Sequence, residues 1–270
     1  MAEFTTGDGV RINYEERPGS GDTVVLVHGY TGSLADWDET LPLLPSDWRV
    51  VRLDLRGAGE SGQPASNHTI PRYARDVLEL TQHLNLPPFV LVGHSMGGAI
   101  AAQFALDHGD VLRGVLLLAP ATLSGITPPP PEMLAQMEAI RGNIPLMKQM
   151  QAFAFSRPLS DTQVERMVTQ GLKVSDAHRT ESLQSMADLR LYDRLPSLAM
   201  PALFVSGDRD NLVPLTSTLD AFRLVPGAYL QVYTRVGHMV QMEVADEFAA
   251  LLVDFVRNVA KPLAVARANA

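Results

Sequence analysis

Residues 89–101 read FVLVGHSMGGAIA: an apolar run delivers the chain to Ser95, glycines flank that serine, and apolar residues resume. An unbroken Val/Leu run suits a strand buried on both faces. The following GAIAAQFALDHG (98–109) reads as a helix closed by Gly109. Gly93-His94-Ser95-Met96-Gly97 therefore fits G-x-S-x-G in its informative context, with a strand before it and a helix after it. Such a strand-to-helix turn holds the serine in a strained conformation at the carboxyl edge of a sheet. Gly93, Gly97 and Gly98 clear space around it, and the helix points its N-terminus at the reacting centre. The competing reading is a glycine turn that merely contains a serine, and the flanking strand and helix argue against it.

Working outward, further strand-length apolar runs end on turn signals: TVVLVHG (23–29), WRVVRLDLRG (48–57), RGVLLLAPA (113–121), ALFVSGD (202–208) and AYLQVYTRVGH (228–238). Helix-like segments lie among them at 70–86 and 243–260, and Asp8-Gly9 centres an antiparallel hairpin. This alternation predicts an α/β fold with a mostly parallel sheet. From Thr122 to Pro196 no strand pattern occurs. The segment opens with Pro128 to Pro131 and continues through helical stretches at 132–142, 144–156, 160–172 and 179–191. It holds, up to Met200, seven of the eleven methionines, which suit either an adaptable pocket or ordinary core filling. The expected organisation is a core domain of residues 1–121 and 197–270 with a helical lid inserted at 122–196, and a frayed tail KPLAVARANA.

Composition narrows the function. A chain of 270 residues with 46% hydrophobic content can bury a large core. A net charge of −8 without a basic stripe argues against nucleic-acid binding, and the absence of cysteine excludes disulfides and thiolate metal sites. No secretory signal or membrane-length apolar run is visible, so a soluble cytoplasmic protein with no membrane partner, monomeric or homodimeric, is the expectation.

A serine nucleophile needs a base to take its proton. His238, in the loop between the last expected strand and the last helix, reaches the same sheet edge. His94 adjoins the serine on a sharp turn and is read as pocket wall, His28 as a brace for the loop after its strand. His68, His83, His108 and His178 fall in polar or helix-surface contexts and are read as bystanders. The base needs an acid to hold its tautomer. Asp210 lies out in the loop after ALFVS, while Asp208, the minority candidate, continues the strand end and suits backbone turn contacts. The oxyanion donors are expected to be the backbone N–H groups of Met96 and Tyr30, the latter after the close-approach residue Gly29. The chain order Ser95, Asp210, His238 is the one expected on such a sheet.

Taken together, HGYTG, DLRGAGESG, GHSMGG, GDRDNLVP and GHMVQME make the chain resemble the α/β-hydrolase fold superfamily along nearly its full length. The resemblance implies an eight-stranded, mostly parallel sheet with a lid after the sixth strand. It also implies acylation of Ser95 followed by hydrolysis, with no metal or organic cofactor. Members that open epoxides or remove halides carry aspartate where Ser95 stands, and carbon–carbon bond hydrolases commonly carry asparagine where His94 stands. Ala58 replaces a frequent histidine in a scaffold turn. The leading expectation is hydrolysis of a small to medium apolar ester or lactone. Carbon–carbon bond hydrolysis, acyl or peracid transfer, and a non-hydrolytic receptor or lyase are the alternatives.

Overall fold

The computed structural model describes residues 1–128, 130, 132, 135, 143–157 and 159–260. The expected helix over 132–142 lies almost wholly outside these residues, as does the tail from Lys261. Among the described residues one sheet contains β1 (Ala2–Thr5), β2 (Arg11–Arg17), β3 (Thr23–Val27), β4 (Arg49–Leu53), β5 (Phe89–His94), β6 (Leu112–Leu118), β7 (Ala202–Gly207) and β8 (Tyr229–Tyr233). Their spatial order is β1-β2-β4-β3-β5-β6-β7-β8. The β1–β2 and β2–β4 pairs are antiparallel and the remaining pairs parallel. Each strand is shorter than the apolar run that announces it, because pairing stops where the chain turns over the sheet edge.

The apolar runs are continuous because the sheet is covered on both faces. Val25, Val27, Leu91, Leu117 and Phe204 pack on one side with α1 (Ile70–His83) and α2 (Met96–His108). Val24, Leu26, Val92, Leu116 and Val205 pack on the other with Phe248, Leu252 and Phe255 of the C-terminal helical region. Burying each such side chain stabilises the fold by roughly 1.5–3 kcal/mol. α1 starts at Thr69, whose side chain accepts the Arg72 N–H, with Pro71 in the first turn. α2 is buried on every side from Met96 to Ala105, which explains its run of glycine and alanine. A Cβ on Gly97 would lie 2.4 Å from the Val27 carbonyl oxygen, and one on Gly93 would lie 2.0 Å from the Gly97 carbonyl oxygen. The start of α2 thus touches the backbone of β3.

Between β6 and β7 lie α3 (Ile144–Gln151), α4 (Asp161–Leu172) and α5 (Asp176–Ala187), with no strand among the described residues of this stretch. Ser160 and Gln163 cap α4 reciprocally, and Ser175 caps α5. α4 is tied to the core by Arg166, which pairs with Glu39 at 2.5 Å and Asp38 at 3.4 Å. α5 is tied by the Ser175 N–H to the Gly57 carbonyl (2.8 Å) and by Glu181, which accepts the His68 N–H (2.9 Å). One helix escaped the sequence reading, α6 (Leu215–Leu224), which buries only Thr218 and Ala221 and so shows no strong apolar stripe. After a single helical turn, Val240–Glu243, α7 (Ala245–Asp254) completes the expected C-terminal helix and runs on through a wider turn to Val259. Among the described residues no helix is long and apolar enough to cross a membrane.

The contact between α2 and β3 gives a direct test. Gly97→Ala is expected to cost about 1–3 kcal/mol in urea denaturation, because the added carbon meets backbone that cannot swing aside. Gly171→Ala in α4, where a Cβ meets only Met147 at 3.9 Å, is expected to be neutral or to stabilise by up to about 1 kcal/mol.

Candidate active site

Ser95 links β5 to α2 with φ 54° and ψ −117°, a left-handed conformation that a residue with a side chain adopts only when its surroundings impose it. Backbone bonds impose it here. The Ser95 N–H donates to the Leu118 carbonyl at the end of β6 (2.8 Å), and the Ser95 carbonyl accepts from Gly98 (2.8 Å) and Ala121 (2.9 Å). The half-buried serine opens on a pocket at the carboxyl ends of the strands, beside the point where the strand order reverses between β3 and β5.

The loops after β7 and β8 bring the expected acid and base together. Asp210 Oδ2 lies 2.7 Å from His238 Nδ1, with the acid side chain fully buried and the base side chain 5% exposed. The second Asp210 oxygen accepts the N–H groups of Leu212 and Val213, each at 2.8 Å, which fixes the carboxylate in its loop. Asp208 is turned away and accepts the Arg235 N–H (2.6 Å), the backbone contact expected of it. His94 Nε2–H donates to the His238 carbonyl (3.1 Å), and the two rings lie 4.7 Å apart. Burial, reinforced by the neighbouring His238, holds the His94 imidazole well below its ordinary range, so it is neutral.

Glu243 joins this half of the site to the inserted helices. Its carboxylate accepts the Gly237 N–H (3.0 Å), just before His238, together with the Ser156 (3.0 Å) and Arg157 (3.1 Å) N–H groups of the insert. The His238 N–H itself donates to the Ala154 carbonyl (2.7 Å). Glu243 ends the GHMVQME stretch, where no motif assigns it a role; a carboxylate five residues after the histidine is the available signal.

Across the pocket, the loop after β3 is braced by two imidazoles. His28 Nε2 receives the Leu55 N–H (3.0 Å), so its Nδ1–H donates to the Gly29 carbonyl (2.7 Å), and burial keeps the ring below its ordinary pKa range. His178 corrects the sequence reading. It is fully buried, not on a helix surface, because α5 lies against the core. Its Nε2 lies 2.6 Å from the Tyr30 carbonyl, and its Nδ1 lies 2.8 Å from the Tyr73 hydroxyl and 3.0 Å from the Arg56 carbonyl. Burial lowers its pKa to about 4. His68 is likewise buried. The Tyr30 hydroxyl donates to the Arg179 carbonyl (2.7 Å), which ties this loop to α5 a second time. Met96 is the first residue of α2, so its N–H belongs to the turn that lacks intrahelical acceptors.

The pocket measures about 130 Å³ and is lined by Ser95, His94 and His238, by the apolar Ala154, Met167, Leu212 and Met239, and by Tyr30, Thr31, Asp36 and Gln170. Asp36 escapes a reading of the sequence, since SLADWDE holds two aspartates and a glutamate and no motif singles one out. Burial raises its pKa to about 7; the Ser33 N–H and the Arg166 charge oppose that rise, while Asp54 and Glu39 add to it. Among the described residues no group of three potential ligands is placed to hold a metal ion.

The match to known proteins agrees with this geometry. The alpha/beta hydrolase fold family model matches residues 22–190. The chain belongs to that family. A non-heme haloperoxidase of Rhodococcus erythropolis is 29% identical to it, with 96% of this chain and all of the relative covered. Among solved structures, an esterase from Exiguobacterium antarcticum superposes with a TM-score of 0.85 at 25% identity, covering 94% and 98% of the two chains. Est816, described as an N-acyl homoserine lactone degrading enzyme, superposes with a TM-score of 0.80 at 29% identity, covering 94% and 100%. These relatives of the alpha/beta hydrolase fold family support a hydrolase role.

Two measurements probe the local arguments. Glu243→Ala leaves three backbone donors without their acceptor and is expected to cost about 2 kcal/mol in chemical denaturation, with Glu243→Gln intermediate because its amide oxygen still accepts. For Asp36, the folded carboxyl titrates near 7 against an ordinary 3.8. Between those values the unfolded chain binds fewer protons, so the group's contribution to stability falls as pH rises. The Tm of Asp36→Asn relative to the unsubstituted protein is therefore expected to climb from pH 4 to pH 8 in thermal melts.

Proposed function

We propose that this chain is a serine hydrolase that cleaves a small carboxylic ester or lactone through an acyl intermediate on Ser95. The observation that carries the reading is the 2.7 Å Asp210–His238 pair, whose histidine lines the same pocket as the strained Ser95. In the first step Ser95 Oγ adds to the substrate carbonyl carbon while His238 Nε2 takes the serine proton. Asp210 holds the Nδ1–H, so that Nε2 is the bare nitrogen. The negative oxygen is met by the N–H groups of Met96 and Tyr30. Support for the second donor comes from the Gly29 carbonyl, which is turned toward His28. In a trans peptide the Tyr30 N–H then points the opposite way. Collapse breaks the carbon–oxygen bond, His238 protonates the departing alcohol, and water deprotonated by His238 adds to the acyl carbon. A second collapse frees the acid and returns the proton to Ser95.

The size of the pocket favours a short acyl group. At about 130 Å³ it is close to the roughly 150 Å³ cavity that accepts benzene and below the roughly 300 Å³ at which drug-sized sites begin. In this reading α3–α5 act as a lid, since Ala154, Met167 and Gln170 line the pocket opposite the sheet edge. A second reading, acyl transfer to peroxide with release of a peracid, is favoured by relatives named non-heme haloperoxidase.

Ser95→Ala is expected to abolish labelling by a fluorophosphonate and turnover of short aryl esters, and Asp210→Asn to lower kcat about 10⁴-fold. Full activity in Ser95→Ala would overturn the reading. Product analysis with added peroxide separates hydrolysis from peracid formation.

A further inference from the structure

The pocket beside Ser95 has a polar wall that acyl transfer does not use. Thr31 stands on the loop after β3, Asp36 on the short helical turn Leu34–Trp37, and Gln170 on α4; all three line the pocket with Ser95 and His238. Among the described residues no hydrogen bond engages the Thr31 hydroxyl or the Gln170 side-chain amide. The Asp36 side chain is buried, with the residue 6% exposed. Its carboxylate meets the Ser33 backbone N–H, and among the described residues it forms no salt bridge. Arg166, whose charge reaches it from α4, is committed to Glu39 at 2.5 Å and Asp38 at 3.4 Å.

The seat of this carboxylate is specific. A Cβ on Gly32 would lie 2.0 Å from Asp36 Oδ2, so the carboxylate fits beneath the loop only because residue 32 is glycine. His28 Nδ1, 3.3 Å from the same point, is occupied by the Gly29 carbonyl and donates nothing to Asp36. Asp54, on the loop after β4, accepts the Leu34 and Glu60 N–H groups and the Asn13 amide, and brings only further negative charge. A buried carboxyl in such company lowers stability once it ionises, which an apolar residue of the same size would not do. A ligand group that donates to it removes that conflict.

We propose that Asp36, with Thr31 and Gln170, binds a hydroxyl group carried by the substrate near its ester carbonyl, so that short hydroxyacyl esters or lactones are preferred over their unsubstituted analogues. The hydroxyl donates its hydrogen to the Asp36 carboxylate, and its oxygen accepts from the Thr31 hydroxyl or the Gln170 amide. A hydroxyl suits this wall because it donates and accepts within one heavy atom, and a pocket of about 130 Å³ has room for little more than a short acyl chain. The proposal rests on the acyl-Ser95 reading.

The test compares kcat/KM for aryl butanoate with that for its 2-hydroxy and 3-hydroxy analogues, in the unsubstituted protein and in Asp36→Leu. The ratio of hydroxylated to plain ester is expected to fall at least about tenfold in Asp36→Leu for one of the two analogues, as for a site built around a substrate hydroxyl. Intrinsic reactivity differences between the esters cancel in this comparison. An unchanged ratio for both analogues, with both ester classes falling together, would mark a carboxyl that only supports the loop and would overturn the proposal alone. If Asp36→Leu does not fold, Asp36→Asn and Thr31→Val give the same comparison with smaller changes of shape. An unsubstituted protein that turns over neither ester class, with Ser95 unlabelled by fluorophosphonate, would remove the hydrolase reading and this proposal with it.

Discussion

At Ser95 the backbone is held at φ 54° by bonds reaching to the carboxyl end of β6, and the glycine after it leans on the carbonyl of Val27 in β3. Three neighbouring strands therefore share one peptide conformation. The cost of a left-handed residue is of order 1–3 kcal/mol and persists only where the surroundings over-determine it. The sheet can impose it because its strands are buried on both faces and cannot slide without exposing core. Much else at the carboxyl edge follows from this anchor. α2 must consist of small residues to approach so closely, and the loops after β3, β7 and β8 are arranged around a fixed serine.

Those loops are not held by the sheet alone. The helices between β6 and β7 grip both sides of the pocket. On one side His178 and Arg179 hold the Tyr30 backbone and side chain. On the other, Ala154, Ser156 and Arg157 share hydrogen bonds with His238 and Glu243. Displacement of these helices would therefore disturb the Tyr30 and His238 loops together.

Much of this architecture was legible in the chain. The continuous apolar runs of β3 to β8, the Asp8-Gly9 hairpin and the helix after GHSMGG are local patterns, and local patterns survive without knowledge of the partner that buries them. The pairing of Asp210 with His238 was legible as well, because each follows its own strand onto the same edge. What escaped were groups whose surroundings are made by distant segments. His178 reads as a helix-surface residue until α5 is laid against the loop after β3. Glu243 reads as an ordinary helix-start acid until the insert supplies two more N–H groups. Asp36 carries no signal in the sequence, and only its burial beside the pocket sets it apart.

By itself the sequence determined the strand and helix alternation, the glycines that permit a tight turn at Ser95, and the order in which serine, acid and histidine occur. Periodicity and glycine placement act within a few residues, so one dimension suffices to read them. Only the tertiary structure decided how small the pocket is and which side chains face one another across it. It alone showed that Asp36 lies in the pocket beside Ser95. Burial and electrostatic environment are properties of packed segments, not of the residues that happen to adjoin along the chain.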